Sequence, residues 1–175
     1  MRSVLITGTS TGIGQATAVT LAAHGWRVFA TMRNLKKRGL LEQALKEAGV
    51  RDGVEVEQLD VNDAASIGTA VTSMLSQTGN KLDAVVHNAG VAAAGALEDV
   101  TESELRRVME TNFFGVLELT RALLQTLPNI SVIGEASSGH EAVEVVARDQ
   151  PDVVLMDIAM PGLNGLEAAA RIVKQ

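Results

Sequence analysis

Short apolar runs alternate with longer amphipathic stretches along the whole chain. The run Ser3-Val4-Leu5-Ile6-Thr7 ends at Gly8, and Ile13, Ala16, Val19 and Ala23 then recur at helical spacing until Gly25. Repeated along the sequence, this pattern predicts strands over 3–7, 27–31, 54–59, 82–87, 130–135 and 153–157. It predicts helices over 12–23, 40–48, 64–78, 102–126 and 140–148, and a last one from 164 or 165 to 174. Asp63 is a good N-cap for the third helix, and Thr101 with Glu104 spells a capping box before the fourth. Pro128 stops that fourth helix. The polar, basic stretch 34–39 and the small-residue stretch 91–96 read as loops. Unbroken strand–helix alternation predicts an α/β fold. It is a parallel sheet of about six strands with helices on both faces, one domain over 1–175.

Composition narrows the partners more than the fold. Apolar residues make up 46% of the 175 positions, which argues against disorder, and the net charge of −6 with no long basic block argues against nucleic acid. There is no cysteine, so there is no disulfide, thiolate metal site or thiol nucleophile, which fits a cytoplasmic setting. No apolar run approaches the ~18–20 residues of a membrane span, and the chain enters its first strand too soon to hold a signal peptide. Aromatic residues are 2%, with three Phe, one Trp and no Tyr. No histidine spacing suggests a metal site. His24 reads as a partner of the first helix's C-terminal dipole, His140 as a helix start, and Trp26 as packing where the chain enters its second strand. Phe113 and Phe114 read as core or dimer contacts.

Chemistry concentrates in the turn Thr7-Gly8-Thr9-Ser10-Thr11-Gly12-Ile13-Gly14. Glycine permits backbone conformations that a Cβ opposes, and it lets a phosphate reach the N–H groups of the following helix. The turn follows a strand and opens a helix at the start of a βαβ unit, the context that gives such a turn meaning. Three further motifs follow in order: Asp60-Val61 after the third strand, Asn88-Ala89-Gly90 with His87 before it at the end of the fourth, and Glu110-Thr111-Asn112-Phe113 in the long helix. Together they make residues 1–127 resemble the N-terminal part of a classical short-chain dehydrogenase/reductase. The resemblance implies a three-layer, Rossmann-like doubly wound sheet with its strands in the order 3-2-1-4-5-6 and a nicotinamide cofactor at the C-terminal strand ends. Its cofactor residues would be Gly8, Ser10, Thr11, Gly12, Ile13, Gly14, Asp60, Val61, Asn88, Ala89 and Gly90. A homodimer through the long helix is a further implication.

The second strand decides which nicotinamide. NAD binders place an acid about 20 residues past the glycine turn to accept from the ribose 2′-OH. Residues 30–38 here hold no acid and four cations. Arg33 can fork onto a 2′-phosphate, with Ser10 and Thr11 adding hydroxyl donors, so NADP(H) is favoured over NAD(H). The family's proton transfer needs a Ser and a Tyr-x-x-x-Lys, and these residues contain no tyrosine. Asn112 keeps its place, and Ser138 lies 26 residues after it, roughly where the family serine falls. The catalytic set is therefore a remnant.

Beyond Pro128 the resemblance changes. Residues 130–139 and Asp152-Val153-Val154-Leu155-Met156-Asp157, with Met160-Pro161-Gly162 after them, resemble part of a response-regulator receiver domain, and Asp157 matches its phosphoacceptor. The receiver's Mg²⁺-holding acidic pair has no counterpart, so the phosphoryl charge would go unneutralised. Two families joined near 117–127 imply an engineered or fused chimera. It would be a scaffold that retains NADP(H) binding without catalysis. Alternatives are an NADP-dependent oxidoreductase of short-chain dehydrogenase type and a receiver module using Asp157. The parental topologies conflict at the join, so a reorganised sheet or a strand exchanged between protomers stands as the second architecture.

Overall fold

A computed structural model describes residues 1–127, 131, 133–151, 154, 156, 160 and 162–173. They form two compact units, Met1–Asn129 and Ile130–Gln175.

The first unit is built on a four-stranded parallel sheet of β1 (Ser3–Ile6), β2 (Arg27–Met32), β3 (Val54–Gln58) and β4 (Ala84–Val86), in the order β3-β2-β1-β4. The register sets Val4 beside Val28 and Ala84, and Val28 beside Val54. Every residue of β1 is buried, as suits a central strand covered on both faces. Glu55 and Glu57 of the alternating strand β3 meet polar partners instead. Arg27 donates to Glu55 at 2.6 and 2.8 Å, and Ser73 donates to Glu57 at 2.9 Å. The N-terminal end of the sheet is pinned by Asp83. It accepts from the Ser3 backbone N–H at 2.7 Å, and that bond, more than any other contact, holds the carboxyl below its ordinary range. The Arg2 guanidinium lies 4.3 Å over the Trp26 ring at the entry to β2.

Helices flank the sheet on both faces. On one side α1 (Gly12–Ala23) and α2 (Arg38–Glu47) enclose Val4, Ile6, Ala18, Val28 and Leu41. On the other, α3 (Ala64–Thr78) and α5 (Gly115–Thr126) enclose Leu5, Phe29, Val71, Leu75, Leu119 and Leu123. Asp63 caps α3 by accepting from Ala65 N at 2.9 Å. His24 sits at the end of α1 with Nδ1 2.8 Å from the Thr20 carbonyl. The expected helix over 102–126 is three pieces in one run: α4 (Glu102–Met109), a π turn (Glu110–Phe114) and α5. Its capping box is complete.

Three expectations need correction. The stretch 34–39 is not a plain loop, because the Asn34 side chain accepts from Lys36 N and starts a 3₁₀ turn, Leu35–Lys37, that runs into α2. Phe113 and Phe114 are not core residues. Each is 49% exposed, and their rings meet edge to face at 5.2 Å. The order 3-2-1-4 is found, but the described part of the expected fifth strand, 131 and 133–135, pairs with no strand. Gly134 instead packs on the second unit's first helix, where an added Cβ would come within 2.6 Å of the Val145 side chain. The expected sixth strand falls mostly outside the described residues, and Val154 and Met156 carry no strand pairing.

The second unit contains α6 (Gly139–Asp149) and α7 (Gly165–Ile172), packed on each other. His140 lies in the first turn of α6, and the Asn164 side chain caps α7 by accepting from Glu167 N at 2.9 Å.

Candidate cofactor site

Each strand of the first unit ends at the same edge, and the segments that follow them line one open cleft of about 360 Å³. The glycine turn supplies Gly8, Ser10, Thr11 and Ile13; β2 supplies Met32 and Arg33; the segment after β3 supplies 59–62; the segment after β4 supplies 88–91; Thr111 completes the wall. Ten of the residues expected to hold a cofactor are thereby brought together. The other two, Gly12 and Gly14, shape the turn.

Two different constraints impose glycine here. Gly8 and Gly12 have φ of 71° and 63°, the left-handed region. Gly14 is ordinary helix, but a Cβ on it would overlap the Asn88 side-chain nitrogen and the Gly8 carbonyl oxygen. The turn is braced from β4: Thr7 Oγ1 accepts from the N–H groups of Asn88 (3.0 Å) and Ala89 (2.9 Å), and Asn88 Nδ2 donates to the carbonyls of Thr7 (2.9 Å) and Gly8 (3.0 Å). Asn88 therefore serves the site as the turn's buttress. From β2, Thr9 donates to the Thr31 carbonyl through both N–H (3.0 Å) and hydroxyl (3.1 Å). The hydroxyl of Thr11, at the N-cap of α1, makes no cap bond. It and the first-turn N–H groups face no intrahelical partner, the arrangement that suits an anion.

The rim is set by charge and apolar cover. Arg33 is exposed at the end of β2, and among the described residues no carboxylate pairs with it. Its carbonyl accepts from Gln58 Nε2 at 3.2 Å, which fixes the backbone below the guanidinium. Ile13 is 79% exposed beside the turn, an apolar side chain held out over the cleft's edge. Asp60 N–H donates to Ser66 Oγ at 2.9 Å, and one carboxylate oxygen accepts from Asn62 N at 3.1 Å. Val61 is buried at 7% exposure and reaches the cleft beside them.

Sequence reasoning did not single out four residues that hold this edge together. Asn112 uses both ends of its amide on one residue, accepting from Val91 N at 2.9 Å and donating to Val91 O at 2.8 Å. Asn62 Nδ2 donates to Thr111 Oγ1 at 2.9 Å. Gly115 lets the helix press on Val61, where a Cβ would come within 2.8 Å of the valine side chain. A glycine inside an otherwise strong helix pattern was the available signal for Gly115. Nothing local marks Val91, Asn62 or Thr111.

His87 faces α5, with Nε2 3.1 Å from Thr120 Oγ1. That hydroxyl donates to the Val116 carbonyl at 2.8 Å, so its oxygen accepts from the imidazole, which carries its proton on Nε2. The residue keeps an exposed edge, yet packing desolvates the ring and lowers its pKa from the ordinary histidine value. Ser138, the candidate catalytic remnant, is the N-cap of α6 and accepts from Glu141 N at 3.3 Å. Asp157 lies outside the described residues. No described helix is long and apolar enough to cross a membrane.

A family model for short chain dehydrogenases matches residues 2–140, and one for the response regulator receiver domain matches residues 113–175. Retinol dehydrogenase 8 of Bos taurus is 40% identical over 129 residues, which are 72% of this chain and 40% of the relative. Human 17-beta-hydroxysteroid dehydrogenase type 1 is 37% identical over 125 residues, 69% of this chain and 37% of the relative. Among solved structures, an NADPH-bound carbonyl reductase from chicken fatty liver aligns with a TM-score of 0.64 and 32% identity, over 72% of this chain and 51% of the other. A short-chain dehydrogenase from Streptomyces avermitilis aligns with a TM-score of 0.61 and 37% identity, over 71% and 43%. The chain thus spans about two-fifths of the length of these curated relatives.

Proposed function

The chain belongs to the short chain dehydrogenase family, and from that premise we propose that its first unit binds NADP(H) in the cleft at the strand ends without carrying out the family's proton transfer. The observation that carries this reading is the cradle itself. Gly8 and Gly14 let the turn close against Asn88 and Ala89, where a Cβ would collide, and Asn88 and Thr7 brace it in that shape, with the hydroxyl at the N-cap of α1 left free of any cap bond. Arg33, which pairs with no carboxylate among the described residues and lines the cleft with Ser10 and Thr11, favours the 2′-phosphate of NADP(H) over the 2′-OH of NAD(H). A bound nicotinamide would supply a hydride. The residues in hand provide binding and position for it, but no tyrosine to move the accompanying proton. We further propose that the chain is a fusion. The two family matches overlap across residues 113–140, which supports a join in or beside α5. A cytoplasmic location belongs to the same reading, supported by the absence of cysteine.

The relatives' names favour a second reading, an oxidoreductase, which Arg33 and the NADPH-bound carbonyl reductase among the similar structures would make NADP-dependent. Titration of NADPH fluorescence with the intact protein tests the first. Saturable binding is expected, tighter for NADPH than for NADH. Arg33→Ala should weaken NADPH about tenfold and leave NADH unchanged, the effect of one charge-assisted contact. Absence of saturation at millimolar NADPH would sink the proposal. Steady NADPH oxidation over a panel of carbonyl compounds, abolished by Gly14→Trp, would establish the second reading instead. An Asp157-dependent mass increase with acetyl phosphate and Mg²⁺ would establish a receiver activity.

A further inference from the structure

We propose that Asn62 and Thr111 are positioning residues. They transmit occupancy of the Asp60 end of the cleft to the Val91 backbone at its far end. This rests on the reading of the cleft as a nucleotide cofactor site. Asn62 follows the Asp60-Val61 pair, and its backbone N–H is already held by the Asp60 carboxylate at 3.1 Å. Its side chain does not stay within that segment. It reaches a residue 49 positions away, donating to Thr111 Oγ1 at 2.9 Å. Thr111 is only 8% exposed, so this hydroxyl sits at the protein's side of the wall and not free in solvent. The next residue, Asn112, holds both the N–H and the carbonyl of Val91. A continuous path of two side-chain contacts and one peptide unit therefore crosses from 60–62 to 91.

The element in the middle suits this role. Thr111 and Asn112 lie in the π turn Glu110–Phe114, a single-turn bulge with i→i+5 hydrogen bonds set between two α-helical segments, a device frequent at functional sites. Immediately after it, Gly115 brings the helix against Val61, the neighbour of Asn62. The segment 60–62 and the π turn are thus joined by a hydrogen bond and by close packing, and cannot move independently. A ligand that draws 60–62 inward orders the π turn, and the Asn112 amide then holds Val91 more tightly. In the absence of the Asn62–Thr111 bond, the two ends of the cleft respond separately.

Adenosine 2′,5′-bisphosphate is the probe, because it carries the adenine and the 2′-phosphate but no nicotinamide. Hydrogen exchange of the backbone amides over 88–96 is followed with and without saturating probe, saturation being set by each protein's own titration. In the wild type the probe should slow exchange at Val91 about fivefold or more, the low end of ordinary site-to-site coupling. Thr111→Val and Asn62→Ala should bind the probe and lose that slowing, and Thr111→Ser should restore it. Asn62 is exposed, so its variant reports even where Thr111→Val disturbs folding. Slowing that persists in both variants would overturn the proposal, as would a wild type that binds the probe with no change at Val91. A wild type that fails to bind at all would remove the cofactor reading and this inference together.

Discussion

Gly12 and Gly14, two residues apart, are glycines for different reasons, and substitution separates them. Gly12 has open space around it but a φ of 63°. Gly12→Ala should therefore cost about 1–2 kcal/mol of backbone strain and leave the turn's shape unchanged. Gly14 has an ordinary helical backbone but no room, because the Asn88 amide and the Gly8 carbonyl occupy the place of a Cβ. Gly14→Ala must push the turn off its buttress. We expect a loss of at least the ~1–3 kcal/mol typical of overpacking, together with loss of the NADPH fluorescence change. Urea unfolding and the NADPH titration, run on both variants, check the contrast. The glycine spacing was legible in the sequence; the reason for Gly14 was not, since it depends on the side chain of Asn88, 74 residues further on. His87 carries a pH consequence. Its pKa is lower in the folded chain than its ordinary value of 6.5. As pH falls below 6.5, the unfolded chain takes up a proton before the folded one does, so stability falls. Stability is full above that value, and His87→Asn should flatten this part of the urea-midpoint curve against pH.

At the scale of elements, caps and stops were readable and irregular turns were not. Asp63 placed the start of α3, and Thr101 with Glu104 placed that of α4, because each cap is a local contest for backbone N–H groups. The 3₁₀ turn after Asn34 and the π turn at Glu110–Phe114 depend on distant packing, and their periodicity blends into that of neighbouring helix. The π turn has a visible effect outside the cleft. Leu105, Met109, Phe113 and Leu117 recur every fourth residue, and all are between 39% and 49% exposed. In a plain α-helix such a row drifts by about 40° per step. The wider π turn takes back part of that drift and keeps the row on the surface. We propose that a second copy of the chain covers it. Sedimentation equilibrium should show a concentration-dependent dimer, and Phe113→Glu should make it monomeric with NADPH titration unchanged. A wild type that stays monomeric at every concentration removes the proposal.

At the scale of the whole chain, the parallel sheet with helices on both faces followed from strand–helix alternation, while its order β3-β2-β1-β4 followed from the resemblance carried by the glycine turn and the motifs after it. The second half gave no such security: its apolar runs have the right length for strands, but pairing also requires a neighbouring edge, which no local pattern encodes. Burial differs accordingly between the units. The first encloses two clusters of large side chains, one on each face of its sheet. Among the described residues of the second unit the buried ones are Gly139, Ala142, Leu163, Gly165 and Ala168, of which only Leu163 is large. Such helices gain little from removal of apolar surface, at about 25 cal/mol per Å². Their amides should therefore exchange through openings well below the free energy that protects β1 and α3. Every cleft-lining residue lies in the first unit. NADPH at a hundred times its dissociation constant should therefore add about 2.7 kcal/mol to the protection of β1 and α3 while leaving α6 and α7 unchanged. If the protection of α6 and α7 rises in step with that of β1, the two units unfold as the single domain that the sequence pattern predicts.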